Sequence, residues 1–208
     1  MGQRQQMLEI VSAQLGYREG ANNDTKYGIW YGLNNQPWCM MFVSWCAAQA
    51  GIGEGVIPRQ SYCPTAVECF QKQGRFLAKG ASPQPGDIIF FDENRNGVAD
   101  HTGVVVENFG DGYIATVEGN REDKVARYRY PLSYQGILGY GCPAYEGDEK
   151  QMIKVKNLDT GEILSFEGFY QEGHNYILLR DAEKLAPVVV DWDEQERIAT
   201  VRANFRKQ

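Results

Sequence analysis

Apolar residues Met7, Leu8, Ile10, Val11 and Leu15 recur at helical spacing, and Gly16 follows them, which predicts an amphipathic helix over residues 6–15. Tyr17 to Gln36 is rich in aromatic residues, Gly and Asn, and reads as a loop. Pro37 suits a first helical turn, so Trp38 to Ala50 is expected as a strongly apolar helix stopped by Gly51. Pro64 to Gln73 reads as a further helix. After Pro83, Pro85 and Gly86 the pattern changes to strands. The strands expected there are Asp87–Phe91, His101–Glu107, Tyr113–Glu118, Lys124–Tyr130 and Gly136–Gly141. Helices followed by a run of strands make an α+β domain with an antiparallel sheet of about five strands.

The polar stretch Glu146 to Lys150 reads as a linker, dividing a domain over 1–145 from a small accessory domain over 151–208. In the second domain a hairpin of Met152–Lys156 with Glu162–Phe166 is expected, then a short helix near Asp181–Leu185. A second hairpin joins Val188–Trp192 to Arg197–Val201, so this domain is β-rich α+β. A core that small contributes about 3–5 kcal/mol.

Charge narrows the function classes. The 208 residues carry 21 basic against 27 acidic side chains, a net of −6, which argues against nucleic acid as a partner. The longest apolar stretch, Cys39 to Ile52, is interrupted by Ser44 and Gln49 and is too short to span a bilayer, so no membrane insertion is expected. The N-terminus has no apolar core of a secretory signal, and Gln6 stands where a myristoylation motif wants Ser or Thr. Synthesis as a soluble cytoplasmic protein is the expectation. The cysteines, at 39, 46, 63, 69 and 142, are odd in number and form no CxxC pair, so at least one is expected to be a free thiol and none fits a zinc pattern.

Only two histidines exist, and that sharpens the search for chemistry. A thiol nucleophile needs an imidazole to take its proton and a third group to orient the ring. Cys39 lies in the first turn of its helix, where free N–H groups and the positive dipole end favour a thiolate. Cys46, seven residues on, reads as packing. Centring the hairpin of the His101 and Tyr113 strands between residues 110 and 111 sets His101 opposite Asn120, with Glu118 its diagonal neighbour on the same face. Cys39, His101 and Glu118, with Asn120 nearby, are the candidate catalytic set. His174, far along the chain from any cysteine, reads as an exposed turn residue.

Four segments carry a family resemblance. Pro37-Trp38-Cys39 through Cys46, Pro85-Gly86-Asp87 through Phe91, Asp100-His101-Thr102-Gly103-Val104-Val105, and Thr116-Val117-Glu118-Gly119-Asn120 occur in the order of the CHAP family. These are cysteine, histidine-dependent amidohydrolases/peptidases that cut peptidoglycan with a papain-like fold. The resemblance covers about residues 5–145. It implies Cys39 as nucleophile, His101 as general base, Glu118 as the orienting residue and Asn120 as an assistant. For the oxyanion hole the backbone N–H of Cys39 serves as one donor, and Gln36, Tyr31 and Tyr17 are candidates for the other.

Two further patterns matter less. Asp92, Asn94, Asn96 and Asp100, with Gly97 between them, follow the first nine positions of an EF-hand loop, but Gly103 stands where its bidentate Glu belongs. Calcium there is an expectation of low affinity, and no cofactor is required. Beyond the linker, Asn175 to Leu185, Val188 to Asp193 and Ile198 to Val201 resemble the small domain named after the N-terminal region of copper amine oxidases, which recurs on wall-associated proteins of Gram-positive bacteria. With one histidine and no cysteine there, no catalytic copper is implied, and 13 acidic against 9 basic residues from Glu146 onward oppose a polyanion-binding surface.

Together these readings anticipate a peptidoglycan hydrolase of endolysin or autolysin type, an amidase or endopeptidase acting on bacterial wall after phage-type release. A wall-binding module without catalysis and a transamidase using the same residues are the alternatives.

Overall fold

A computed structural model describes residues 2–147 and, beyond them, the backbone of strands 151–157, 163–171, 174–177, 188–193 and 198–203. The chain divides into two compact units, Met1–Asp148 and Glu149–Gln208.

In the first unit four helices precede the sheet: α1 (Gln3–Ser12), α2 (Lys26–Tyr31), α3 (Cys39–Gln49) and α4 (Cys63–Lys72). Helix α2 lies inside the stretch read from sequence as loop. Its signals are ordinary ones that the surrounding Gly and Asn masked. Thr25 caps it by accepting the Gly28 N–H at 2.9 Å, and Gly32, at φ 88°, closes it in the left-handed conformation. The strands are β1 (Phe76–Ala78), β2 (Ile88–Phe91), β3 (His101–Asn108), β4 (Tyr113–Arg121), β5 (Lys124–Pro131) and β6 (Ile137–Gly141). They form one antiparallel sheet in the order β1-β6-β2-β3-β4-β5. This is the α+β, papain-like arrangement expected, with six strands rather than five. The extra one, β1, is a three-residue edge strand too short to show an alternation.

Strand β2 explains how the sheet is held. All four of its residues are buried, because both faces of the sheet are covered. Ile88 and Phe90 point to a core shared with the helices, among them Met7, Val11, Phe42 and Phe70, while Ile89 and Phe91 point to a second core with Val105, Ile114 and Ile137. Each such side chain contributes about 1.5–3 kcal/mol when fully buried. Helix α3 packs on β3 and β4, which brings its first turn over the sheet where His101 begins β3.

The second unit is a sheet of β7 (Gln151–Asn157), β8 (Ile163–Gln171), β9 (His174–Ile177), β10 (Val188–Asp193) and β11 (Ile198–Ala203), ordered β10-β11-β7-β8-β9. Both expected hairpins are present, β7 with β8 and β10 with β11, and β11 joins β7 in parallel. His174 opens β9 paired with Gln171, a strand position rather than the turn expected of it. The two-residue gap between β8 and β9 is too short to be separated from a turn by pattern alone. The helix expected near Asp181–Leu185 lies outside the described residues.

Candidate active site

Cys39 is the first residue of α3 and is only 6% exposed. Its position is set by aromatic packing beneath it. Trp38 is fully buried, stacks on Tyr27 at 5.2 Å between centroids, and donates its indole N–H to Glu19 Oε2 at 2.6 Å. Phe42, one turn on, meets Tyr27 edge to face at 5.3 Å. From the other side β4 comes unusually close. A Cβ on Gly119 would stand 2.5 Å from Trp38 Cζ3 and 2.9 Å from Phe42, so only glycine lets strand and helix meet here. The start of a helix leaves N–H groups without intrahelical partners, and that of Met40 faces the Cys39 sulfur.

His101 and Glu118 are joined across β3 and β4. The ladder pairs Gly103 with Glu118, which makes His101 the diagonal neighbour of Glu118 on the same face, as the hairpin count anticipates. His101 Nε2 lies 2.9 Å from Glu118 Oε2. Gly103 makes that reach available, since a Cβ there would stand 2.5 Å from Glu118 Cγ. With Nε2 bonded to the carboxylate, the opposite ring nitrogen, Nδ1, is the one left for the neighbouring Cys39 thiol.

Glu118 is completely buried and its carboxylate is fully engaged. Besides His101 it accepts from Thr116 Oγ1 at 2.5 Å, Arg121 Nη1 at 3.2 Å and Tyr130 Oη at 3.4 Å. Thr116 is two residues away on one strand, hence on the same face, and could have been found from the sequence by that spacing. Arg121 could not. It reaches back because the β4–β5 ladder is irregular between Glu118 and Arg121. Within that bulge Asn120 takes φ 62°, a left-handed conformation that Asn tolerates. No hydrogen bond joins the Asn120 side chain to His101 or Glu118, and the β3–β4 ladder ends at Gly103–Glu118, short of the His101–Asn120 pairing expected.

The electrostatics favour a thiolate–imidazolium pair. Cys39 is held well below the ordinary thiol range, first by a hydrogen bond from Cys63 and then, against the penalty of burial, by His101. Burial works against a charged His101, yet its bonds to Cys39 and Glu118 outweigh that and push it up to about 9. Of the two thiols in contact it is Cys39 that has the imidazole beside it, so Cys39 is the ionised one and the proton stays on Cys63. Burial pushes the Cys46 thiol up, in keeping with packing.

The remaining expected residues lie in other settings. Tyr17 Oη accepts the Lys26 N–H at 3.0 Å, the Tyr31 ring is covered by Arg59, and Gln36 is exposed. In the loop before His101, Asp92 accepts the N–H groups of Asn96 and Gly97, Asn94 also accepts from Asn96, Asn96 accepts from Val98, and Asp100 accepts from Glu93 and Asn94. Among the described residues no three His, Cys, Asp or Glu side chains converge as a metal site, and no helix is long and apolar enough to cross a membrane.

The CHAP domain matches residues 30–120, which contain Cys39, His101 and Glu118. No curated protein matches the chain. Among solved structures, the crystal structure of Ly7917 aligns with a TM-score of 0.46 at 14% identity, covering 94% of this chain and 90% of that one. The crystal structure of Ly7917 with the hydrolyzing product of MDP aligns with a TM-score of 0.46 at 16% identity, over 83% of this chain and 80% of that one.

Proposed function

We propose that this chain, whose residues 30–120 match the CHAP domain, is a peptidoglycan hydrolase that cuts an amide bond of the stem peptide or cross-bridge through a cysteine nucleophile. The observation that carries the proposal is the line of contacts from thiol to imidazole to buried carboxylate, Cys39–His101–Glu118, with His101 and Glu118 2.9 Å apart.

In this reading each step has a group to carry it. The Cys39 thiolate attacks the amide carbonyl, and the free N–H groups at the start of α3 stabilise the developing oxyanion. His101 passes its Nδ1 proton to the departing amine, leaving an acyl thioester. His101 then takes a proton from water as that water attacks the thioester, the C–S bond breaks, and Cys39 leaves as the thiolate beside the protonated His101, which restores the starting pair. Glu118 keeps the ring in place by holding Nε2–H, and Thr116, Arg121 and Tyr130 keep Glu118 in place. Asn120 contributes by turning the backbone that brings Arg121 round. Amidase and endopeptidase cleavage use the same groups, and fragment masses from digested wall distinguish them.

The test is Cys39→Ala in the full chain, which should abolish wall lysis while the thermal melt stays within a few degrees of wild type. Full lysis by that variant would overturn the cysteine mechanism, and a wild type that binds wall without lysing it would leave a wall-binding module. An added amine acceptor that appears in the products would make the enzyme a transamidase. Three further expectations belong to the proposal. The second unit targets the enzyme to the wall, the enzyme reaches its substrate by endolysin-type release, and the Asp92–Asp100 loop binds calcium weakly without entering any step.

A further inference from the structure

Cys39 and Cys63 open two different helices, α3 and α4, and their sulfurs meet 3.7 Å apart. Both are buried, at 6% and 4% exposure. The contact is braced from behind: Ser44 on α3 donates to Gln60 O at 2.8 Å and accepts from Gln60 N at 3.0 Å, fixing the segment that leads into α4. Among the described residues no other pair of sulfurs is in contact, and Cys142 is turned toward Asp87 instead. Cys63 helps hold Cys39 ionised but takes no step in the mechanism above.

We propose that Cys39 and Cys63 are a modification site, a dithiol that closes to a reversible disulfide and switches the hydrolase off under oxidation. The inference rests on the reading of Cys39 as the nucleophile. Bonding distance for a disulfide is about 2.05 Å, so the sulfurs need to close by about 1.6 Å, within reach of side-chain rotation at two adjacent helix starts. The oxidant class is a peroxide. The Cys39 thiolate attacks one peroxide oxygen, the O–O bond breaks, and a sulfenic acid and hydroxide result. The Cys63 sulfur then attacks the sulfenic sulfur, the S–S bond forms and the S–O bond breaks. The departing hydroxide takes the Cys63 proton and leaves as water. Two electrons leave the pair of thiols, and the peroxide is reduced to water. Cys63 becomes available at the right moment. What chiefly holds its proton in the resting enzyme is the bond to Cys39, and that cause disappears once Cys39 is oxidised. A second thiol in contact also captures the sulfenic acid before further peroxide carries it to the irreversible sulfinic state.

The experiment treats the full chain with excess hydrogen peroxide, maps cysteine-containing peptides by mass, and follows wall lysis before and after a dithiol reductant. Wild type should show a Cys39–Cys63 linkage, lose lysis by about tenfold or more, and regain most of it on reduction. Cys63→Ala, scored against its own reduced activity, should lose lysis under the same peroxide but recover little, with Cys39 found as sulfinic acid. If wild-type lysis depends on Cys39 yet peroxide produces no linkage, the switch is overturned and the nucleophile assignment stands. If the linkage forms while lysis continues at full rate, the nucleophile assignment falls and the switch falls with it.

Discussion

Replacing Glu118 by Gln isolates the charge of the third residue from its shape. The carboxylate is fully buried and takes hydrogen bonds from His101 at 2.9 Å, Thr116 at 2.5 Å, Arg121 at 3.2 Å and Tyr130 at 3.4 Å. A Gln amide can reproduce this pattern. Its oxygen keeps His101, Arg121 and Tyr130, while its NH2 faces Thr116, whose hydroxyl turns from donor to acceptor. What is lost is the charge. A hydrogen bond to a charged group contributes about 1.5–3 kcal/mol and a neutral one about 0.5–1.5, so the His101 contact weakens by about 1–2 kcal/mol. That predicts a fall in kcat/KM of about 5- to 30-fold with the fold retained. The pH profile should shift as well. Activity requires a deprotonated Cys39 and a protonated His101, so it rises as the lowered Cys39 thiol ionises and falls as His101 loses its proton near 9. The same sign governs stability: the raised His101 contributes most below its unfolded value, and that contribution fades as pH climbs through about 9. In Glu118→Gln the descending limb should move down by about one unit. The assay is hydrolysis of a soluble muropeptide by chromatography across about pH 5 to 10. A wild-type rate with an unmoved limb in Glu118→Gln, beside an inactive Cys39→Ala, would show that another residue orients His101.

Three further outcomes are expected. Gly119→Ala should destabilise the first unit by about 1–3 kcal/mol, read as a lower Tm, because its Cβ would stand 2.5 Å from the Trp38 ring; an unchanged melt would deny the close approach of β4 to α3. Calorimetric titration with calcium should give weak binding that Asp92→Ala removes, and the absence of heat in wild type would end that expectation. A fragment ending at Gly147 should fold and keep its activity on soluble muropeptides. Glu146 still pairs with Gln3, and Tyr145 still donates to Gly86 O at 2.5 Å. The same fragment should act more slowly on intact wall, because tethering by the second unit raises effective concentration; an unchanged rate there would deny the targeting role.

Local pattern carried much of this protein. Short apolar and β-branched runs bounded by Gly, Pro, Asn and Asp located β2 to β6, and apolar spacing located α1, α3 and α4, because an element that is to be buried must carry apolar residues where it meets the core. The relation of His101 to Glu118 was legible only in part: period two decides which side chains share a face, but the ladder reaches the Gly103–Glu118 pairing through a register shift between Val105 and Glu107 that the count does not contain. Helix α2 was hidden because six residues among Gly and Asn carry too little periodicity, even with Thr25 and Gly32 marking its ends. Three features depended on tertiary structure. The meeting of Cys39 with Cys63 requires two helix starts, 24 residues apart in sequence, to converge, and no spacing rule encodes that. The return of Arg121 onto Glu118 requires a bulge. The roles of Gly103 and Gly119 appear only where a neighbouring side chain fills the space a Cβ would need. Sequence patterning determines which face of an element is buried; what that face meets is decided by packing between elements distant along the chain.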